Sequence, residues 1–221
     1  RAIQMADAAF DYHDKVTYTG YDLFGTATPE MNEKEFNSKA NNTAEAVSER
    51  LAEYAMEKAK EGKTFEFKLI EGDTNETLTD KPVADLVFID GGHSYETVAH
   101  DYHQLMHNKV VVLDDYFSKD DNDNWPEEEH RGVNKLWTEE IKEREDANVY
   151  VIPSNDPVKG GGFTHLGLVL DPDLPKFKAR VPIIVTPKDC VPSDDIQNNI
   201  KANLTKIDKW IDEKCRINNE I

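Results

Sequence analysis

The 221-residue chain sets 26 Lys and Arg against 44 Asp and Glu, a formal net charge of −18. Nucleic acids and anionic membrane surfaces bind to clustered cations, so this balance argues against both as partners. The 38% hydrophobic content is enough for a core, yet no apolar run reaches the roughly 18 residues that a membrane span needs.

The chain opens on Arg1 directly in a helix-like pattern (RAIQMADAAF), so the sequence is expected to begin inside a longer protein. Val16 to Asp22 (VTYTGYD) reads as a strand ending in an acid, and Asn42 to Lys60 as a helix with Ala46, Leu51, Tyr54 and Ala55 facing inward. Phe65 to Asp73 (FEFKLIEGD) alternates and ends in Gly-Asp. Ala84 to Asp90 (ADLVFID) and Val110 to Asp115 (VVVLDD) are apolar runs that also close on acids. Between those two, Tyr95 to His107 places Val98, Tyr102 and Leu105 on one helical face. His100, His103 and His107 fall on the solvated side of the same helix. The acidic stretch Asp120 to Glu129 lacks the Gly of a calcium loop and reads as a loop over the rim, with Trp125 a candidate substrate contact.

Gly132 to Arg144 is a further helix, with Val133, Leu136, Trp137 and Ile141 inward. Val149 to Ile152 and Leu166 to Leu170 are strand-like and are joined through KGGGF, so they are expected as an antiparallel pair at a sheet edge, with the glycines as a turn. From residue 173 onward the sequence turns Pro-rich. It leads to a helix expected from Ser193 to about Arg216, with Ile196, Ile200, Leu204, Ile207 and Ile211 in one stripe. That stripe must pack on the main domain, on another copy of the chain or on a further domain. The division expected is thus 1–172 and 173–221. Cys190 and Cys215 make no disulfide framework, which points to a reduced, cytoplasmic setting. The N-x-S/T triplets at Asn41, Asn75 and Asn203 are of a kind that recurs by chance.

Strand, acid, helix, repeated, is the signature of a mostly parallel α/β sheet covered on both faces. Ligands of such sheets bind beyond the carboxyl ends of the strands. Asp22, Asp73, Asp90, Asp114 and Asp115 therefore share one rim. Acids at the ends of buried strands cost desolvation unless a positive or hydrogen-bonding group meets them. Each could simply cap the helix that follows. For Asp90 with the adjacent pair Asp114 and Asp115 that reading is weaker, because one helix start does not need two neighbouring acids.

The passages YTGYDLF, LIEGD, ADLVFIDGGHSYETVAHDY and VVVLDDY, in this order, resemble the class I S-adenosylmethionine-dependent methyltransferases. More narrowly they are similar to the metal-dependent small-molecule O-methyltransferases of the macrolide-sugar and catechol type, over roughly Arg1 to Leu170. The resemblance implies a Rossmann-like α/β fold with an antiparallel edge hairpin. It also implies that Asp22 holds the cofactor ribose and Asp73 the adenine amino group. Asp90, Asp114 and Asp115 would ligate a divalent cation such as Mg²⁺, for which an all-oxygen donor set is suited. His93, three residues after Asp90, would be the general base; the alternative for it is a turn or cap residue before the Tyr95 helix. The substrate implied is a hydroxylated small molecule, a sugar or glycan.

The family's first strand and Gly-rich loop would precede Arg1. A sheet without that central strand would leave two neighbours with unpaired edges. The tail beyond Pro182 resembles the lead-in to a glycan-associated domain. A non-catalytic module of this fold within a larger glycan-related protein is therefore the rival expectation. A metal-dependent hydroxylase-like relative is a third.

Overall fold

The computed structural model describes residues 1–35, 42–119, 122–124, 131–158 and 161–174. The expected tail helix, its stripe, both cysteines and Trp125 lie outside the described residues, as do Lys159 and Gly160 of the KGGGF connection.

In chain order the elements are α1 (Ala2–Phe10), β1 (Lys15–Asp22), a 3₁₀ turn (Phe24–Thr26), α2 (Pro29–Lys34), α3 (Ala44–Lys60), β2 (Thr64–Glu71) and α4 (Thr74–Thr77). β3 (Val87–Ile89), α5 (Tyr95–Leu105), β4 (Val110–Ser118) and α6 (Gly132–Leu136) follow. A π-helical turn (Trp137–Ile141) then precedes β5 (Asn148–Pro157) and β6 (Phe163–Leu170). Each strand read from the sequence is present, although only Val87–Ile89 of the run from Ala84 to Asp90 is paired. The helix expected as one piece from Gly132 changes to π winding at Trp137.

β1 and β2 pair in parallel, as do β3 and β4. β4 and β5 each pair antiparallel with β6, giving the order β3-β4-β6-β5. The α/β architecture and the antiparallel hairpin at one edge are those expected. Among the described residues, β1 pairs only with β2 and β3 only with β4.

Two apolar clusters hold these sheets. Under β3, β4 and β6, the side chains of Val98 and Tyr102 from α5 meet Leu136, Trp137 and Ile141, with Val111 and Leu113 between them fully out of solvent. The π turn keeps Trp137 and Ile141 both facing inward, and Trp137 lies edge-on to Tyr116 with ring centroids 5.7 Å apart. Under β1 and β2, Phe10 of α1 packs with Leu51 and Tyr54 of α3 against Phe65. Tyr54 meets Phe65 edge to face at 5.0 Å, a geometry that adds to area burial. The expected inward face of α3 is corrected at one position. Leu51 and Tyr54 are buried, whereas Ala46 is exposed, because the stripe that packs on the core runs through Val47, Leu51 and Tyr54 and leaves Ala46 to one side. Among the described residues no helix is long and apolar enough to cross a membrane.

Candidate active site

Register does most of the assembly. Ile89 of β3 lies beside Leu113 of β4 in the parallel pair, so the next residues, Asp90 and Asp114, emerge at the same level of the same rim. Asp115 needs a further device. Successive residues of a strand point to opposite faces, which would send Asp114 and Asp115 apart. The β4–β6 register prevents this: Leu113 pairs with Gly167 and Tyr116 with His165, so two residues of β4 face one of β6. Within this bulge Asp115 adopts φ 57°, a left-handed conformation that Asp tolerates better than most residues. One oxygen from each of Asp90, Asp114 and Asp115 then lies within 4.8 Å of the others.

These three acids differ in exposure: Asp114 is buried, Asp115 half-buried and Asp90 exposed. The cation that meets them is Arg1. Its guanidinium donates to Asp114 and lies 3.1 Å from Asp90 Oδ2, while its carbon lies 5.4 Å from the centre of the Phe88 ring. A small cavity of about 10 Å³, lined by Asp90, Gly91, Gly92, His93, Asp114 and Asp115, has the space of a single water.

His93 closes the cluster. Its Nε2 is 2.8 Å from Asp115 Oδ2. An ionised carboxylate can only accept, so Nε2 carries the proton and the lone pair of the neutral ring rests on Nδ1. Nδ1 is buried and has no hydrogen-bond partner within the protein. The bond to Asp115 raises the His93 pKa above its ordinary value, against the opposing effect of burial, with smaller contributions from the charges of Asp115, Glu35 and Asp90. His93 is not the helix cap; Ser94 is, accepting from the Thr97 N–H.

The two remaining rim acids behave differently. Asp22, exposed at the end of β1, accepts from the Phe24 N–H at 2.6 Å. Phe24 itself is buried at φ 45°, a strained setting for an aromatic residue that turns the chain sharply at the strand end. Asp73 caps α4, accepting from both the backbone and the side-chain amide of Asn75. Asp22 and Asp73 end neighbouring strands, since the Gly72 N–H donates to the Asp22 carbonyl at 3.0 Å. The cap reading thus holds for Asp73, and no such cap is formed by Asp90, Asp114 or Asp115.

Three residues at this site carry no signal in the sequence reading. Arg1 is one. Glu35, at the end of α2, accepts from the Ser94 N–H and hydroxyl, both at 2.8 Å, and from the Thr97 hydroxyl at 2.7 Å. Gly132 begins α6 and donates its N–H to the His93 carbonyl at 2.9 Å. All three act across 35 or more residues of sequence. A spaced pattern that could have exposed them does not exist, apart from the S-x-x-T cap at Ser94.

Residues 2–116 match the family model described as a methyltransferase domain. The chain belongs to the methyltransferase domain family. Its chemistry is methyl transfer from S-adenosylmethionine, and the rim acids of this methyltransferase lie where an α/β sheet binds its ligands. No curated protein matches the sequence. Among solved structures, a Klebsiella pneumoniae protein described as an O-methyltransferase is 16% identical, with TM-score 0.36, over 70% of this chain and 72% of its own. The O-methyltransferase of Bacillus cereus in complex with SAH is 14% identical, with TM-score 0.37, over 77% of this chain and 89% of its own. At such TM-scores neither likeness bears on the chemistry of this chain.

Proposed function

We propose that this methyltransferase acts on a hydroxyl oxygen of a small molecule, a sugar or glycan, with a divalent cation such as Mg²⁺ held by Asp90, Asp114 and Asp115. The observation that carries the reading is the convergence of those three carboxylates to within 4.8 Å at the ends of two parallel strands, beside an imidazole. The donor set is all oxygen and anionic, which fits a hard cation. Arg1, a positive group already drawn onto two of the acids, is consistent with a site that calls for a cation. The sugar class rests on the resemblance to the macrolide-sugar type of enzyme, which carries two adjacent acids where this chain has Asp114 and Asp115.

When bound, the cation would polarise the acceptor hydroxyl and lower its pKa. The cofactor supplies the electrophilic methyl. Asp22 and Asp73 would hold its ribose and adenine from neighbouring strand ends. His93 would take the hydroxyl proton on Nδ1, where its lone pair lies, and Asp115 would stabilise the resulting imidazolium through the Nε2 bond. The rim carboxylates and His93 thus contribute positioning and preformed charge.

Methyl transfer from labelled cofactor to a panel of sugars and other hydroxylated acceptors tests this reading. Transfer is expected to stop on chelation of divalent cations and to resume with added Mg²⁺. Undiminished transfer in chelator would remove the cation from the reaction. Asp22→Ala is expected to weaken cofactor binding by roughly 10- to 150-fold, the loss of one hydrogen bond to a charged group at 1.5–3 kcal/mol. Calorimetry with the cofactor product checks it, and cation affinity is expected to stay at the wild-type value.

A further inference from the structure

We propose that Glu35 is a positioning residue for this site: a carboxylate latch that grips the start of α5 and thereby fixes the loop from Asp90 to His93. The inference rests on the reading of Asp90 and His93 given above and extends it to a residue on a separate element.

The geometry is specific. Glu35 receives three hydrogen bonds, from the Ser94 N–H, the Ser94 hydroxyl and the Thr97 hydroxyl, at 2.7–2.8 Å. A carboxylate at a helix N-terminus satisfies N–H groups that have no partner within the helix, and it complements the helix dipole. Ser94 already caps α5 with its own neutral hydroxyl, so Glu35 is a second acceptor, and a charged one, at one helix start. A carboxylate reaching across 59 residues of sequence does more than local capping requires.

The loop is shaped to admit it. A Cβ at Gly92 would collide with the Glu35 carboxylate, so only glycine lets the latch close on the backbone between Asp90 and His93. Both ends of that loop then follow. Asp90 leaves β3 on one side, and His93 bonds Asp115 on the other. Glu35 touches neither reacting group directly. It acts through the loop, and it anchors the stretch that leads from Asp22 through α2, so the cofactor side and the cation side of the site are tied at this point.

The test uses the full chain with Mn²⁺ as probe and three readouts: Mn²⁺ affinity, the imidazole NMR signals of His93, and the unfolding midpoint. Glu35→Ala is expected to weaken Mn²⁺ binding by about tenfold or more, as loss of groups that orient ligands does, and to shift the His93 signals. Glu35→Gln keeps an acceptor oxygen and a donor for the same partners, so it is expected to hold Mn²⁺ affinity near wild type and to move the His93 signals less than Glu35→Ala, by no more than the loss of the Glu35 charge accounts for. Thr43→Ala removes the comparable cap of α3, far from the loop in sequence, and is expected to lower the midpoint without moving either signal. Should Glu35→Ala not fold, Thr97→Val removes one of the three hydrogen bonds and is expected to shift the His93 signals in the same direction by less. His93 signals and Mn²⁺ affinity unchanged in Glu35→Ala, or changed equally by Thr43→Ala, would overturn the latch. If the wild-type chain binds no Mn²⁺, the cation reading fails by itself, and the His93 signals still decide on Glu35.

Discussion

Asp114→Asn is expected to lower divalent-cation affinity by at least a hundredfold and to remove methyl transfer, while the protein unfolds at the wild-type temperature or slightly above it. The substitution preserves shape and removes one negative charge from a buried position. At about 4 Å and an effective dielectric near 20, a unit charge pair is worth roughly 4 kcal/mol, and each 1.4 kcal/mol is about tenfold in affinity. The loss is thus large even after generous discount for solvent. Stability moves the other way. Three carboxylates crowd within 4.8 Å, and neutralising one relieves repulsion among the rest. Arg1 keeps Asp90 as a partner. Titration with Mg²⁺ and a thermal melt, on the same variant, check both halves. A lower melting temperature with cation affinity intact would make Asp114 a structural acid.

Gly132→Ala is expected to cost about 1–3 kcal/mol, the usual range for forcing a methyl into a packed site, and to impair methyl transfer together with folding. A Cβ there would lie 2.5 Å from the His93 carbonyl oxygen and 2.6 Å from the Ser94 carbonyl carbon. Both are backbone atoms, so no side chain can swing aside. The start of α6 and the loop carrying His93 must separate, and the hydrogen bond from the Gly132 N–H stretches with them. At roughly 2–4 °C per kcal/mol for a chain of this size, the melting temperature is expected to fall by about 2–12 °C. The His93–Asp115 pairing is expected to loosen, visible as changed imidazole signals. A variant that melts lower with full transfer would show that the loop position is not critical.

How far the sequence alone reaches is clear from these residues. The strands were legible because β-branched runs such as VVVL and ADLVFI end in acids, and helix faces such as Val98 with Tyr102 follow the 3.6 period. The rim acids were legible for the same reason, as parallel strands end on one side. The bulge at Asp114 and Asp115 was not. Nothing in VVVLDDYFS signals that two residues will face one across the ladder, and yet this is what turns both acids to one place. The pairing of His93 with Asp115, the reach of Glu35 to Ser94 and the contact of Gly132 with His93 depend on distances set by tertiary packing. Ala46 shows the converse. It was expected on the inner face of α3, but its neighbour Val47 is the residue in line with Leu51 and Tyr54, and Val47 packs on the core in its place. The π turn at Trp137 is likewise a product of packing against the sheet, which holds both Trp137 and Ile141 inside.

Crystals of the full chain soaked in Mn²⁺ with the cofactor product, and examined by anomalous scattering, bear most directly on the proposed cation site. The expected result is a single peak with oxygens of Asp90, Asp114 and Asp115 about 2.1 Å away, at the contact distance of a small hard cation, and with the Arg1 guanidinium displaced. No peak among those oxygens, with cofactor bound and Arg1 still paired to Asp90 and Asp114, would contradict it.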